Sequence, residues 1–224
     1  MKDTSKTDMA LGKRIHEELK KRGIETPMLR GTLDCSTKNY ENIEGHVRSI
    51  MELLGLDMRD DSLMETPRRI AKMYLNELFW GLDYRNFPKI TTIENKMHYG
   101  NMLIERHIKV TSECEHHFSP FIGEAFVAYI PDEKVIGLSK INRLVEFFSR
   151  RPQVQERLTE QIFFALCYVL ETENVAVVVK AEHTCVKIRG VEDINSDTIT
   201  SRLGGCFMTN FQLRNELFNI LHLE

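Results

Sequence analysis

Two places in this chain bring a cysteine and a histidine together. Cys114-Glu115-His116-His117 sets a thiol and an imidazole three residues apart, so one turn of chain can aim both at a single ion. His183-Thr184-Cys185 repeats the pairing; residues two apart on an extended chain face the same way, so these two side chains are expected to project together. Thiolate and imidazole as a pair suit Zn2+. The set Cys114, His117, His183 and Cys185 supports one zinc site in either of two forms: a closed one in which all four bind, or an open one in which three bind and the fourth group transfers protons. Spacing leaves both open. His116 adjoins a candidate ligand and must point elsewhere; an imidazole titrates near neutrality and could act as acid or base, or simply hydrogen-bond within a loop.

Basic residues are dispersed, but some fall at the starts of predicted helices, and Arg150 and Arg151 end one. Arg68, Arg69 and Lys72 sit in the first turns of a helix opened by Thr66-Pro67, and Lys140 and Arg143 in those of a helix capped by Ser139. Arg189-Gly190 follows the Cys185 segment. A cation at a helix start opposes the macrodipole, and helix N-termini bind phosphate through backbone N–H groups, so an anion is expected there. Any one of these charges taken alone is more simply a solvated side chain. Gln155-Glu156 opens the following helix.

The elements that must position these groups follow from periodicity. Helical spacing marks a short helix over Leu11 to Arg22, another through Ile43, Val47, Ile50, Met51 and Leu54, and a third with Ile70, Met73, Tyr74 and Leu78 on its buried face. Leu103 to Thr111 and Gly123 to Ile130 read as strands. Helices then run from Ser139 to Ser149, with Ile141, Leu144, Val145 and Phe148 inward, and from Val154 to Glu171. Val175 to His183 is a strand, Glu192 to Ser201 a polar connection, Gly205 to Met208 a short strand and Phe211 to Leu223 a terminal helix. The predicted class is α+β, an antiparallel sheet with helices on one face. Residues 1–38 read as a peripheral segment, 39–88 as a helical subdomain and 89–224 as the domain carrying the chemistry.

Composition excludes several classes. The 224 residues carry 30 Lys+Arg and 33 Asp+Glu, a net charge of −3, so broad nucleic-acid binding is not expected. Hydrophobic residues are 42% and charged residues 28%, ordinary for a globular chain and not for a disordered one. The longest near-apolar stretch, Ile162 to Leu170, falls short of the ~18 residues of a membrane span. The polar N-terminus shows no secretory signal, and five cysteines are an odd count, so a reducing, cytoplasmic setting is expected. Cys167, in the run FFALCYVL, reads as a core residue; Cys35, Cys206, His16, His46, His98, His107 and His222 read as structural or unremarkable.

Four long segments in colinear order carry a resemblance: TPRRIAKMYLNELFWGLDY, CEHHFSPFIGEAFVAYIP, GLSKINRLVEFFSRRPQVQERLTEQI and AEHTCVKIRGV. Together they resemble GTP cyclohydrolase I over about residues 40–224, and residues 1–38 add little. The resemblance implies a tunnelling-type fold, a four-stranded antiparallel sheet with helices on one face after an N-terminal helical subdomain, joined into a homo-oligomer, a decamer, with sites shared between subunits. It implies hydrolysis of GTP to 7,8-dihydroneopterin triphosphate and formate, the first step of tetrahydrofolate and pterin synthesis. It implies a Zn2+ cofactor on Cys114, His117 and Cys185, with His116 and His183 left for proton transfer. Glu156 falls at the position that holds the guanine N–H edge, with Gln155 beside it; Arg69, Lys72, Lys140, Arg143 and Arg189 fall at the triphosphate cations, and Ser139 near the same pocket. Val186 and Asp197 depart from the usual pattern, conservatively in role. The alternative carried alongside is a zinc-stabilised, non-catalytic nucleotide-binding protein of the same fold.

Overall fold

The computed structural model describes residues 4–29, 33 and 35–221. Its helices are α1 (Met9–Lys21), α2 (Thr37–Leu53), α3 (Thr66–Met73), α4 (Leu138–Ser149), α5 (Gln155–Leu170), the single turns α6 (Thr184–Lys187) and α7 (Cys206–Thr209), and α8 (Phe211–Leu221). Its strands are β1 (Thr92–Glu94), β2 (Leu103–Cys114), β3 (Pro120–Tyr129), β4 (Lys134–Ile136), β5 (Pro152–Gln153), β6 (Val175–His183) and β7 (Thr198–Leu203). A π-helical turn, Tyr74–Leu78, extends α3.

The class is α+β, with a main sheet in the order β5-β2-β3-β6-β7. This corrects the expected four-stranded antiparallel sheet in two ways. The sheet has a fifth, two-residue strand, β5, parallel to β2 through Glu113↔Pro152 and Cys114↔Gln153. A separate antiparallel ribbon pairs β1 with β4. The helices also do not keep to one face. Alternation along β3 and β6 sends Ala125, Val127, Tyr129, Val175, Val177 and Val179 into the large core under α4 and α5. It sends Phe126, Ala128, Ala176 and Val178 the other way, against Phe207, Leu217 and Leu221 of α7 and α8.

Helices α4 and α5 form where the periodicity places them. Ile141, Leu144, Val145 and Phe148 of α4 and Leu158, Ile162 and Leu166 of α5 are wholly buried, each contributing about 1.5–3 kcal/mol over an exposed position. Other elements move. Ser139 does not cap α4; Gly137 takes that position and Ser139 lies exposed in the first turn. Thr66 is the first residue of α3 and Glu65 its cap, with Pro67 buried in the first turn. The buried line there is Pro67, Ala71 and Leu75, one position on from the predicted face. The polar stretch read as a connection runs into β7, which pairs with β6 from Ala176↔Leu203 to Ala181↔Thr198. The strand expected at Gly205 to Met208 is α7, because Gly205 sits at φ 49° and turns the chain. Its N-terminal neighbour contact is fixed by Asn174, whose Oδ1 accepts the Cys206 N–H at 2.9 Å. His222 and Leu223 lie outside the described residues.

Close backbone approach explains two glycines. A Cβ on Gly123 would stand 2.0 Å from the Lys180 carbonyl oxygen across β3 and β6. One on Gly81 would stand 2.1 Å from that of Phe147. The Gly81 site belongs to a buried polar knot. Arg151 is fully buried, donates to the Gly81 carbonyl and, at 3.2 Å, to Oε1 of Glu25, and lies among the rings of Tyr84, Phe147 and Phe148. Tyr84 donates to the same Glu25 carboxylate, and burial holds its phenol far above the usual range. The Gln161 amide ties Ile24 into the knot at 2.8 Å and accepts from Gln153 at 2.7 Å. Residues Ile24 and Glu25 are thereby joined to β5, the strand that runs beside Cys114.

Candidate metal centre and neighbouring groups

β2 delivers Cys114 to the end of the sheet, where a tight turn closes onto β3. The Cys114 carbonyl accepts from Phe118 N–H at 2.8 Å, and Cys114 N–H donates to the Ser119 carbonyl at 2.8 Å. Phe118 takes φ 49° to complete the turn and packs against Phe79 and Tyr74, which brings the end of α3 to this loop. The turn places His117 over Cys114. β6 runs beside β3 with Phe121 opposite His183, so the residues after His183 arrive at the same place. Thr184 secures the junction by donating its hydroxyl to the Pro120 carbonyl at 2.6 Å. As a result the donor atoms of Cys114, His117 and Cys185 lie within 4.8 Å of one another.

The donor set fits zinc. Two sulfurs and one imidazole are the ligands this ion prefers, and Cys114 is buried, Cys185 half-buried and His117 exposed. Burial raises the Cys185 thiol pKa, and the adjoining Cys114 sulfur raises it further. Two neighbouring sulfurs are thus hard to ionise together without a cation, and a bound divalent ion reverses that balance.

His183 goes elsewhere. The expectation that it projects with Cys185 rested on a continuing strand, but β6 ends at His183 and the chain turns into α6. His183 stacks on Phe121, ring centroids 4.6 Å apart, and its Nε2 meets Oε1 of Gln155 at 2.8 Å. The proton on that bond can be assigned. The Gln155 amide nitrogen is committed to the carbonyls of Val179 and Thr198 and to the Thr200 hydroxyl, so Oε1 is the accepting atom. His183 Nε2 therefore donates, and in the neutral ring Nδ1 keeps the lone pair. Burial lowers the His183 pKa, opposed by the negative charge of Glu156.

The remaining candidates divide into near and far. His116 is exposed, its Nδ1 3.8 Å from the Cys114 sulfur. Glu156 is exposed in the first turn of α5. Next to it, Arg157 forms a two-pronged ion pair with Glu115, strapping the cysteine-histidine turn to α5. Arg189 is exposed and reaches His117, Nη1 to Nε2 2.8 Å. Ser139, Lys140 and Arg143 lie in the first turns of α4, Arg143 lining a cavity of about 250 Å3 with Lys6, Trp80 and Asn86. Arg69 and Lys72 are exposed on α3. Among the described residues no hydrogen bond or ion pair joins these five to the Cys114 cluster. The orienting roles of Gln155 and Phe121 and the Glu115–Arg157 strap have no local signature in the sequence; they arise where α5 crosses the ends of β2 and β6.

The chain is similar over most of its length to proteins of one family. The family described as GTP cyclohydrolase I matches residues 43–222. Among similar proteins, the GTP cyclohydrolase 1 of Aeromonas hydrophila is 58% identical over 202 residues, 90% of this chain and 92% of that protein. The GTP cyclohydrolase 1 of Haemophilus ducreyi is 55% identical over 209 residues, 93% and 95% of the two chains. That of Yersinia enterocolitica is 56% identical over 202 residues, 90% and 91%.

Proposed function

Because this chain belongs to the GTP cyclohydrolase I family, we propose that it hydrolyses GTP to 7,8-dihydroneopterin triphosphate and formate, with zinc held by Cys114, His117 and Cys185. The observation that carries the reading is the three-donor group within 4.8 Å, with His183 turned out of it onto Gln155. That geometry favours an open site over a closed four-ligand one. A zinc ion there supplies Lewis acidity that makes water nucleophilic near neutral pH.

The chain's own residues supply the rest. Glu156 accepts the guanine N–H edge and orients the purine. Protonation at N7 makes C8 electrophilic; water adds there, the imidazole ring opens, and a second hydrolysis releases C8 as formate. The sugar then undergoes an Amadori rearrangement, and closure of the pterin ring expels one water. These steps need several proton transfers, and two imidazoles are at hand. His183, held neutral by burial and fixed by Gln155 as the Nε2–H tautomer, offers Nδ1 as an acceptor. His116, exposed beside Cys114, is the second. Gln155 thus serves by orienting His183, its amide being fully engaged. Arg69, Lys72, Lys140, Arg143 and Arg189, with Ser139, hold the triphosphate, which explains how a net-acidic chain binds a polyanion through local charge.

The five cations are dispersed in one chain, and Glu156, His117 and Arg189 are exposed. Apolar side chains are exposed too: Ile50, Leu53 and Leu54 at the end of α2, and Ile188, Val191 and Ile194 beside Arg189. Of the apolar residues Ile43, Val47, Ile50 and Met51 that recur along α2, only Met51 is buried. These features support a tunnelling-type homo-oligomer, a decamer, whose site is completed by a neighbouring subunit. Purified protein given GTP and zinc should release formate and a fluorescent pterin, and should sediment far above 26 kDa. Absence of both products with zinc bound removes the assigned reaction; an active species at the monomer mass removes the shared site.

A sharper expectation attaches to Glu156. Its loss leaves guanine donors without a charged acceptor, worth about 2 kcal/mol. Glu156→Ala should weaken GTP binding roughly 30-fold at unchanged zinc content. Unaltered GTP affinity by calorimetry contradicts the assignment.

A further inference from the structure

We propose that Arg189 gates metal loading: its guanidinium and the metal ion compete for the one lone pair of the His117 imidazole, so that loading the site frees Arg189 for an anionic group. The proposal rests on the metal reading above and goes beyond it. Arg189 Nη1 stands 2.8 Å from His117 Nε2. A guanidinium has only N–H donors and stays protonated, so His117 Nε2 must be the acceptor. A neutral imidazole has a single accepting nitrogen, and the other, Nδ1, then carries the proton.

Both ways of binding a metal displace Arg189. If the ion takes Nε2, it takes the lone pair that the guanidinium occupies. If it takes Nδ1, the ring proton must move to Nε2, which then faces the guanidinium donor to donor. Coordination through either nitrogen gives the same result. Release is easy in this setting: Arg189 is exposed, it is followed by Gly190 at φ 67°, and the segment through Asn195 is exposed throughout. Once freed, a permanently charged fork stands beside the site with no partner on His117, suited to a phosphate-bearing ligand.

Linkage makes the coupling reciprocal. An anion that draws Arg189 away from His117 strengthens metal binding by the same factor as the metal strengthens anion binding. Arg189 is therefore a switch between two partners, the His117 imidazole and an anionic group.

The test is zinc affinity, read by competition with a chromophoric chelator on the intact assembly without nucleotide. Arg189→Ala should bind zinc about tenfold more tightly than the parent chain, the gain expected when a competing hydrogen bond to a charged group is removed. Simple relief of charge repulsion would also tighten binding, so the comparison is repeated at about 1 M sodium nitrate, where exposed charges are screened within ~3 Å. Competition for the lone pair predicts that most of the gain survives. A gain that vanishes at high salt assigns it to repulsion and overturns the proposal, as does unchanged or weaker zinc binding in Arg189→Ala. A parent chain that binds no zinc overturns the metal reading itself, and with it this proposal; normal zinc binding with no Arg189 effect overturns the proposal alone.

Discussion

Cys114→Ala, His117→Ala and Cys185→Ser are each expected to lose zinc and turnover together, whereas His183→Ala keeps the metal and loses turnover alone. The geometry separates the two groups. The three donors lie within 4.8 Å of one another, while His183 is stacked on Phe121 and bonded to Gln155. Removing one of three ligands should weaken zinc binding by more than the ~10–100-fold typical of an outer-shell partner. In His183→Ala, zinc content and GTP affinity stay near normal and turnover falls by roughly 10²–10⁴, the range for a lost acid or base. His116→Ala should fall similarly, with a ring-opened formamide accumulating. Elemental analysis beside single-turnover formate release reads both quantities. Zinc loss in His183→Ala equal to that in Cys185→Ser makes His183 a ligand and ends its proton-transfer role. Full zinc retention in the three ligand variants ends the assignment of the metal.

The second large effect lies at Arg151. Its guanidinium is wholly buried and Glu25 is its carboxylate partner, 3.2 Å away. Glu25→Ala leaves a buried charge uncompensated and should destabilise the fold by about 3–5 kcal/mol, a large share of the ~5–15 kcal/mol of a typical domain. Glu25→Gln, which keeps a polar acceptor for Arg151, should cost less. Replacing both residues by Met should recover only part of the loss: the buried charge is gone, but the Tyr84 hydroxyl and the Gly81 carbonyl lose their partners. Urea unfolding at one fixed protein concentration measures all three, which keeps any mass-action contribution constant. A loss below about 1 kcal/mol in Glu25→Ala would show that the pair contributes no more than a surface ion pair. Because Arg151 precedes β5, zinc affinity in the same variants reports whether the knot also holds Cys114 in place.

What sequence alone could decide was whatever depends on near neighbours. The inward faces of α4 and α5 were legible because a helix repeats its burial every three to four residues. The strand Val175–His183 was legible because both its faces are covered and its apolar run is nearly continuous. Cys114 and His117 could be paired because one turn of chain joins them. β7 was not legible: it lies at the sheet's edge, where little burial imposes alternation on Thr198–Leu203. The spacing of Ile43, Val47, Ile50 and Met51 marks α2 as a helix but not how far it is covered, and only Met51 is buried, because periodicity records that a face is apolar and not what covers it.

The site's finer arrangement belongs to the tertiary structure. Gln155 could be matched to a pocket by sequence, but only the crossing of α5 over β6 and β7 commits its amide to Val179, Thr198 and Thr200 and so fixes the His183 tautomer. Arg151 looks like one of two surface arginines in Arg150-Arg151, and its burial is decided by Glu25, a partner far away along the chain. His183 and Cys185 look equivalent as ligands until the strand ends between them. Residue type and spacing determine which atoms are able to bind an ion. Which of them meet is set by where strands stop and which helices pack across their ends, because coordination and hydrogen bonding depend on ångström distances between parts of the chain that local preference does not relate.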